Sequence, residues 1–93
     1  MKVVFKYDCS IDDEVSVMMP ADAKILKVAV QRSNDDDMKR RCFCIWALVE
    51  TDNLKTDRHF RVYGTGKPIE NEKQKFIETF LDEPFVWHLF EEV

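Results

Sequence analysis

Cys42-Phe43-Cys44-Ile45-Trp46-Ala47-Leu48-Val49-Glu50 contains the longest unbroken apolar run of the chain, the eight residues from Cys42 to Val49. A run of this length, rich in aromatic and branched side chains, predicts a fully buried central strand. It is bounded by Arg40-Arg41 on one side and by Thr51-Asp52-Asn53 on the other. Strand alternation puts Cys42, Cys44, Trp46 and Leu48 on one face and Phe43, Ile45, Ala47 and Val49 on the other. Both faces are apolar, so both are expected to be covered by protein, with Trp46 as a core anchor.

Upstream of this run, Leu26, Val28 and Val30 alternate with Lys27, Ala29 and Gln31. The branched residues at the alternating sites predict a strand over Lys24 to Arg32. The polar segment Ser33 to Lys39 is then a hairpin loop, and the two strands it joins pair antiparallel. Nearer the start, Val3, Phe5 and Tyr7 alternate with Lys2, Lys6 and Asp8, which predicts a first strand with one core face. Val15, Val17 and Met19 form a second strand, ended by Pro20, which has no N–H for a ladder. Downstream, Asn53 to Asp57 reads as a turn and His59 to Tyr63 as a strand with Phe60 and Val62 on one face. Gly64-Thr65-Gly66-Lys67-Pro68 follows as a turn in which glycine supplies positive φ. Phe76, Ile77, Phe80 and Leu81 have helical spacing with Asn71 as a candidate cap, but a strand over 75–81 would make a hairpin with the aromatic run Phe85 to Phe90.

These elements predict a single domain over 1–93: mainly β, an antiparallel sandwich or partly open barrel of about six or seven strands. One short helix near 72–81 is the open alternative. The chain has 45% hydrophobic and 34% charged residues, a globular balance rather than a disordered one. Eighteen acidic against 14 basic side chains give a net charge of −4, which weighs against general binding of nucleic acid. No apolar window is long enough for a transmembrane helix and no signal-peptide pattern opens the chain, so a cytoplasmic protein with reduced thiols and no membrane partner is expected.

No catalytic constellation is evident, and an enzyme is the least supported class. Cys42 and Cys44 lie within a strand, without the turn that brings zinc ligands together, and read with Cys9 as core thiols. No metal or cofactor is expected. Gly64-Thr65-Gly66-Lys67 is not a Walker A loop, because position 61 is Arg and position 68 is Pro. The segment is nevertheless the most distinctive one that the core does not explain. With Arg58, Arg61 and Tyr63 it forms the leading candidate surface for a partner or an anion. The secondary candidate is the hairpin carrying Asp35, Asp36, Asp37, Lys39, Arg40 and Arg41. Its acidic triplet lacks the Gly and Glu of a calcium loop and reads as a solvated tip.

Three blocks carry a resemblance: Ile45-Trp46-Ala47-Leu48-Val49, Phe60-Arg61-Val62-Tyr63-Gly64-Thr65-Gly66-Lys67-Pro68-Ile69, and Pro84-Phe85-Val86-Trp87-His88-Leu89-Phe90-Glu91. As a group they resemble a family of short, uncharacterised proteins encoded mostly by tailed bacteriophages. Lys67 stands where that family usually carries His, so a role resting on that His would be absent here. The segment from Asp35 to Arg41 is longer than the usual hairpin. The resemblance implies a phage origin and a mainly β fold, and it favours a strand over 75–81; it implies no activity. The expectation is an interaction protein that binds and modulates a host protein, as an antidefence or host-takeover factor. A binder of a small anionic ligand such as a nucleotide is the alternative, and a minor structural protein of the phage particle the third reading. Self-association is left open.

Overall fold

The computed structural model describes residues 1–31, 41–70 and 72–93. Seven strands follow one another: β1 (Lys2–Ser10), β2 (Glu14–Pro20), β3 (Lys24–Ala29), β4 (Cys42–Glu50), β5 (Lys55–Gly64), β6 (Gln74–Asp82) and β7 (Phe85–Glu92). They form a three-stranded sheet in the order β1-β4-β3 and a four-stranded sheet in the order β2-β5-β7-β6, every pairing antiparallel. The sheets face each other and do not close into a barrel. Lys75 to Leu81 lies within β6, so the helical alternative for 72–81 gives way to a strand; its candidate cap, Asn71, lies outside the described residues. β5 starts at Lys55, so the predicted turn over Asn53 to Asp57 is shorter than expected, and Thr51–Asn53 makes the bend.

The core lies between the sheets. Phe43, Ile45, Ala47 and Val49 project inward from β4, with Cys9 from β1 and Val28 from β3. They meet Val17 and Met19 of β2, Phe60 and Val62 of β5, Leu89 of β7 and Phe80 of β6. Phe43, Ile45, Phe60, Met19, Leu89 and Val49 are the largest fully buried side chains, each worth about 1.5–3 kcal/mol of burial.

β4 is central, as expected, but only one of its faces is in the core. Cys42, Trp46 and Leu48 are half-buried on the outer face, because two layers leave nothing to cover the far side of a sheet. Trp46 is therefore not a core anchor. Cys44 shares that face yet is buried, because Lys6 of β1 reaches over β4 to Gln31, Nζ to Oε1 3.0 Å, and Asp8 accepts the thiol proton at 3.1 Å.

Two bulges reset the side-chain alternation. In β3 the register shifts between Ile25 and Lys27, which turns Leu26 out to solvent and leaves Ile25 and Val28 facing the core. In β6 it shifts between Phe76 and Glu78. Ile77 and Phe80 then point inward while Phe76 and Leu81 point outward. The spacing i, i+1, i+4, i+5 that suggests a helix is here a bulged strand. Phe5 shares the inward side of β1 with Val3 and Tyr7 but remains exposed, since β1 is an edge strand.

Candidate functional site

The Gly64 to Lys67 segment leaves β5 as a turn closed by the Lys67 N–H on the Gly64 carbonyl, 3.1 Å. Gly66 has φ +89°, the value that the third position of a type II turn requires and that side chains resist. His88 of β7 pins the turn. Its Nε2 lies 2.9 Å from Thr65 Oγ1 and its Nδ1 2.9 Å from Thr79 Oγ1 of β6, so three segments meet at one imidazole.

Beside this turn the outer face of the four-stranded sheet is aromatic. Tyr63 packs edge-on against Phe90, with ring centroids 5.4 Å apart, and Phe90 edge-on against Phe76, 5.5 Å apart. The Tyr63 hydroxyl donates to Gln74 Oε1 at 3.0 Å, while Gln74 Nε2 is buried without a hydrogen-bond partner among the described residues. Tyr63, Lys67, Ile69, Phe76, His88 and Phe90 line a shallow groove of about 180 Å³. Phe76 is 52% exposed and Leu81 60%, with Val86 exposed next to Leu81 in the register, so two apolar patches on this face flank the polar Thr79–His88 pair. Phe76 and Leu81 belong to this surface although their spacing reads as one stripe with Ile77 and Phe80; only the bulge separates the two pairs.

The candidate residues divide into two sets. Tyr63, Gly64, Thr65, Gly66 and Lys67 come together at the groove. Arg58 does not join them. It lies six residues earlier on β5, roughly 20 Å away at strand rise, between the sheets. There it makes a bidentate pair with Glu91, at 2.6 and 2.7 Å, and donates to the Ala23 carbonyl at 2.6 Å. The carboxylate holds its proton affinity above the ordinary guanidinium value. Arg61 faces outward between two carboxylates, Nη2 to Glu14 at 2.6 Å and Nε to Glu92 at 2.8 Å. Neither arginine presents an uncompensated positive charge to a ligand. Arg41 clamps the β6–β7 hairpin, with Nη1 3.0 Å from the buried Asp82 and its guanidinium 4.4 Å from the centre of the Phe85 ring. Asp35, Asp36, Asp37, Lys39 and Arg40 lie outside the described residues.

The thiols are held protonated. Burial, aided by neighbouring groups, pushes Cys9 up to about 12; burial and the hydrogen bond to Asp8 push Cys44 up to about 11. Among the described residues no three His, Cys, Asp or Glu side chains are grouped to hold a metal, and no helix is long and apolar enough to cross a membrane.

No curated protein and no solved structure matches the chain. One family model does, over residues 1–93, and its description attaches no activity: the chain belongs to the family described as Domain of unknown function (DUF7352).

Proposed function

We propose that the chain is a phage-encoded interaction domain that binds and modulates a host protein without catalysis of its own. The contact surface is the apolar outer face of β5, β7 and β6 beside the Gly64–Lys67 turn. The observation that carries this reading is the pair of exposed apolar patches on one sheet face, the Tyr63–Phe90–Phe76 aromatic row and Leu81 with Val86, on either side of the Thr79–His88 pair. Exposed apolar side chains clustered on one face of a sheet and rimmed by polar groups are a usual mark of an interface. Lys67, exposed at the groove mouth, sets the chemistry of the partner: an apolar side chain to fill the groove, with a carboxylate beside it. The anion reading is weaker, since Glu91, Glu14 and Glu92 already neutralise Arg58 and Arg61.

The test compares proteins captured from host cells by the wild-type chain and by a Phe76→Ser/Leu81→Ser variant whose circular dichroism is unchanged. A stoichiometric partner lost on the double substitution supports the reading. A partner retained by the variant overturns it, as does a wild-type homodimer that the same substitutions split into monomers, because the face would then be occupied by a second copy.

A further inference from the structure

The outer face of the three-stranded sheet, on the opposite side of the sandwich, has a different chemistry. The register sets Lys6 of β1 and Lys27 of β3 directly against Trp46 of β4, one on each side. In the next row Val4 and Lys24 flank Leu48, and beyond it Lys2 pairs with Glu50. Neighbouring strands lie about 4.8 Å apart, so the half-buried indole lies between two lysine stems, with two further lysines along the same face; the Lys6 ammonium reaches across β4 to Gln31 Oε1 at 3.0 Å. The carboxylates there are Asp8, which accepts a hydrogen bond from the Cys44 thiol and lies 3.9 Å from Lys6, and Glu50, which holds the amino-terminal ammonium. A chain of net charge −4 thus gathers four lysines onto one sheet face.

We propose that this face binds single-stranded nucleic acid. One base stacks on Trp46, Lys6 and Lys27 meet phosphates on either side of it, and Lys24 and Lys2 hold the backbone further along. Stacking on an aromatic platform within a cationic track is the general physics of single-strand binding, and it tolerates any base because every base offers a π face. An acidic polypeptide would meet the lysines but has no use for the indole between them. A duplex keeps its bases inside and cannot stack on a flat sheet. The acidic remainder of the molecule repels phosphate, which confines binding to this face; the net charge of the whole chain is therefore a poor guide to it.

The test is fluorescence anisotropy of a short fluorescein-labelled oligothymidylate, and of an oligouridylate of equal length, titrated with the full chain at low salt. Trp46→Ala is expected to weaken binding by about five- to a hundred-and-fifty-fold and Trp46→Phe by much less. Lys6→Ala/Lys27→Ala is expected to reduce the slope of log affinity against log salt by about 1.4, or 0.7 for each lost phosphate contact. Phe76→Ser, on the other sheet, should bind as the wild type does, which keeps this result separate from the protein-binding reading. Binding of either oligonucleotide with these responses supports the proposal. It is overturned by no measurable binding of either, by a folded lysine double variant that binds unchanged, or by polyglutamate or phosphatidylserine vesicles competing as well as the oligonucleotide at equal charge.

Discussion

Phe43 and Phe80 stack across the interior of the sandwich, ring centroids 4.9 Å apart and planes inclined by 27°, and so join the central strand of one sheet to the edge strand of the other. Both rings are buried. Truncating either to Ala should cost about 3–5 kcal/mol, a large share of a stability of about 5–15 kcal/mol. Trp46→Ala, on the half-covered outer face, should cost about 1–2 kcal/mol, in proportion to the smaller area it removes from contact. Urea denaturation of the three variants decides the order; a Trp46 variant less stable than the Phe43 variant would show that the core lies on the other face of β4.

Arg58 and Glu91 form the second inter-sheet device, since the guanidinium also holds the Ala23 carbonyl at the β2–β3 turn. Each side chain is mostly shielded. Arg58→Met leaves a carboxylate and a carbonyl unpaired and is expected to destabilise by about 2–3 kcal/mol, below the full cost of breaking a buried pair because water still reaches the site. Arg58→Met/Glu91→Leu should recover much of that loss. A double variant no more stable than the single would mean that the pair is not what is lost.

Gly66 and Gly64 have different roles in the one turn. At φ +89° an added Cβ strains the Gly66 backbone, and Gly66→Ala should cost about 1 kcal/mol or more. At Gly64 the same Cβ would meet Trp87 at 3.5 Å, an ordinary contact, so Gly64→Ala should be better tolerated. Thermal melts of the two variants test the contrast, and equal losses would contradict it.

The thiols predict the alkaline limb of stability. Unfolded, Cys9 and Cys44 would ionise near the ordinary value of 9; folded, they hold their protons to about 12 and about 11. Their contribution is therefore fully present below about pH 9 and is lost as pH rises through the folded values. Urea midpoints should fall between pH 9 and 11, less steeply in a Cys9→Ala/Cys44→Ala variant. At pH 8 about one Cys9 in ten thousand is thiolate, against about one in ten for a free thiol, so native Cys9 should resist alkylation until the protein unfolds. Alkylation of native Cys9 at the rate of a free thiol would contradict its burial.

Alternation located β1 and β2, which repeat apolar residues at period two, and the unbroken apolar run located β4; polar or proline punctuation marks their ends. Alternation failed at Leu26 and Ile77, where one extra residue shifts the period without any change in composition. Nor could the apolar run through Trp46 reveal that one of its faces lies outside, since that depends on the number of layers and not on the strand. At the candidate site the Gly64–Lys67 turn was legible from its glycines. The neutralisation of Arg58 and Arg61 was not, because their carboxylate partners lie more than thirty residues away in sequence, as with Glu91 and Glu92. The lysines around Trp46 are likewise unremarkable one by one, and only the pairing of β1 and β3 with β4 gathers them.

The strand order also sets how the chain reaches this structure. β1 waits for β4 to pair, β2 waits for β5, and β5 pairs with β7 only after the chain has passed through β6. Only β3–β4 and β6–β7 join consecutive strands, and the other three ladders each close a long loop before they gain anything. Folding should thus fall on the millisecond-to-second scale of sandwiches dominated by distant pairings, and a nascent chain halted before β5 would hold all three strands of one sheet but only β2 of the other, leaving the core face of β4 without its cover.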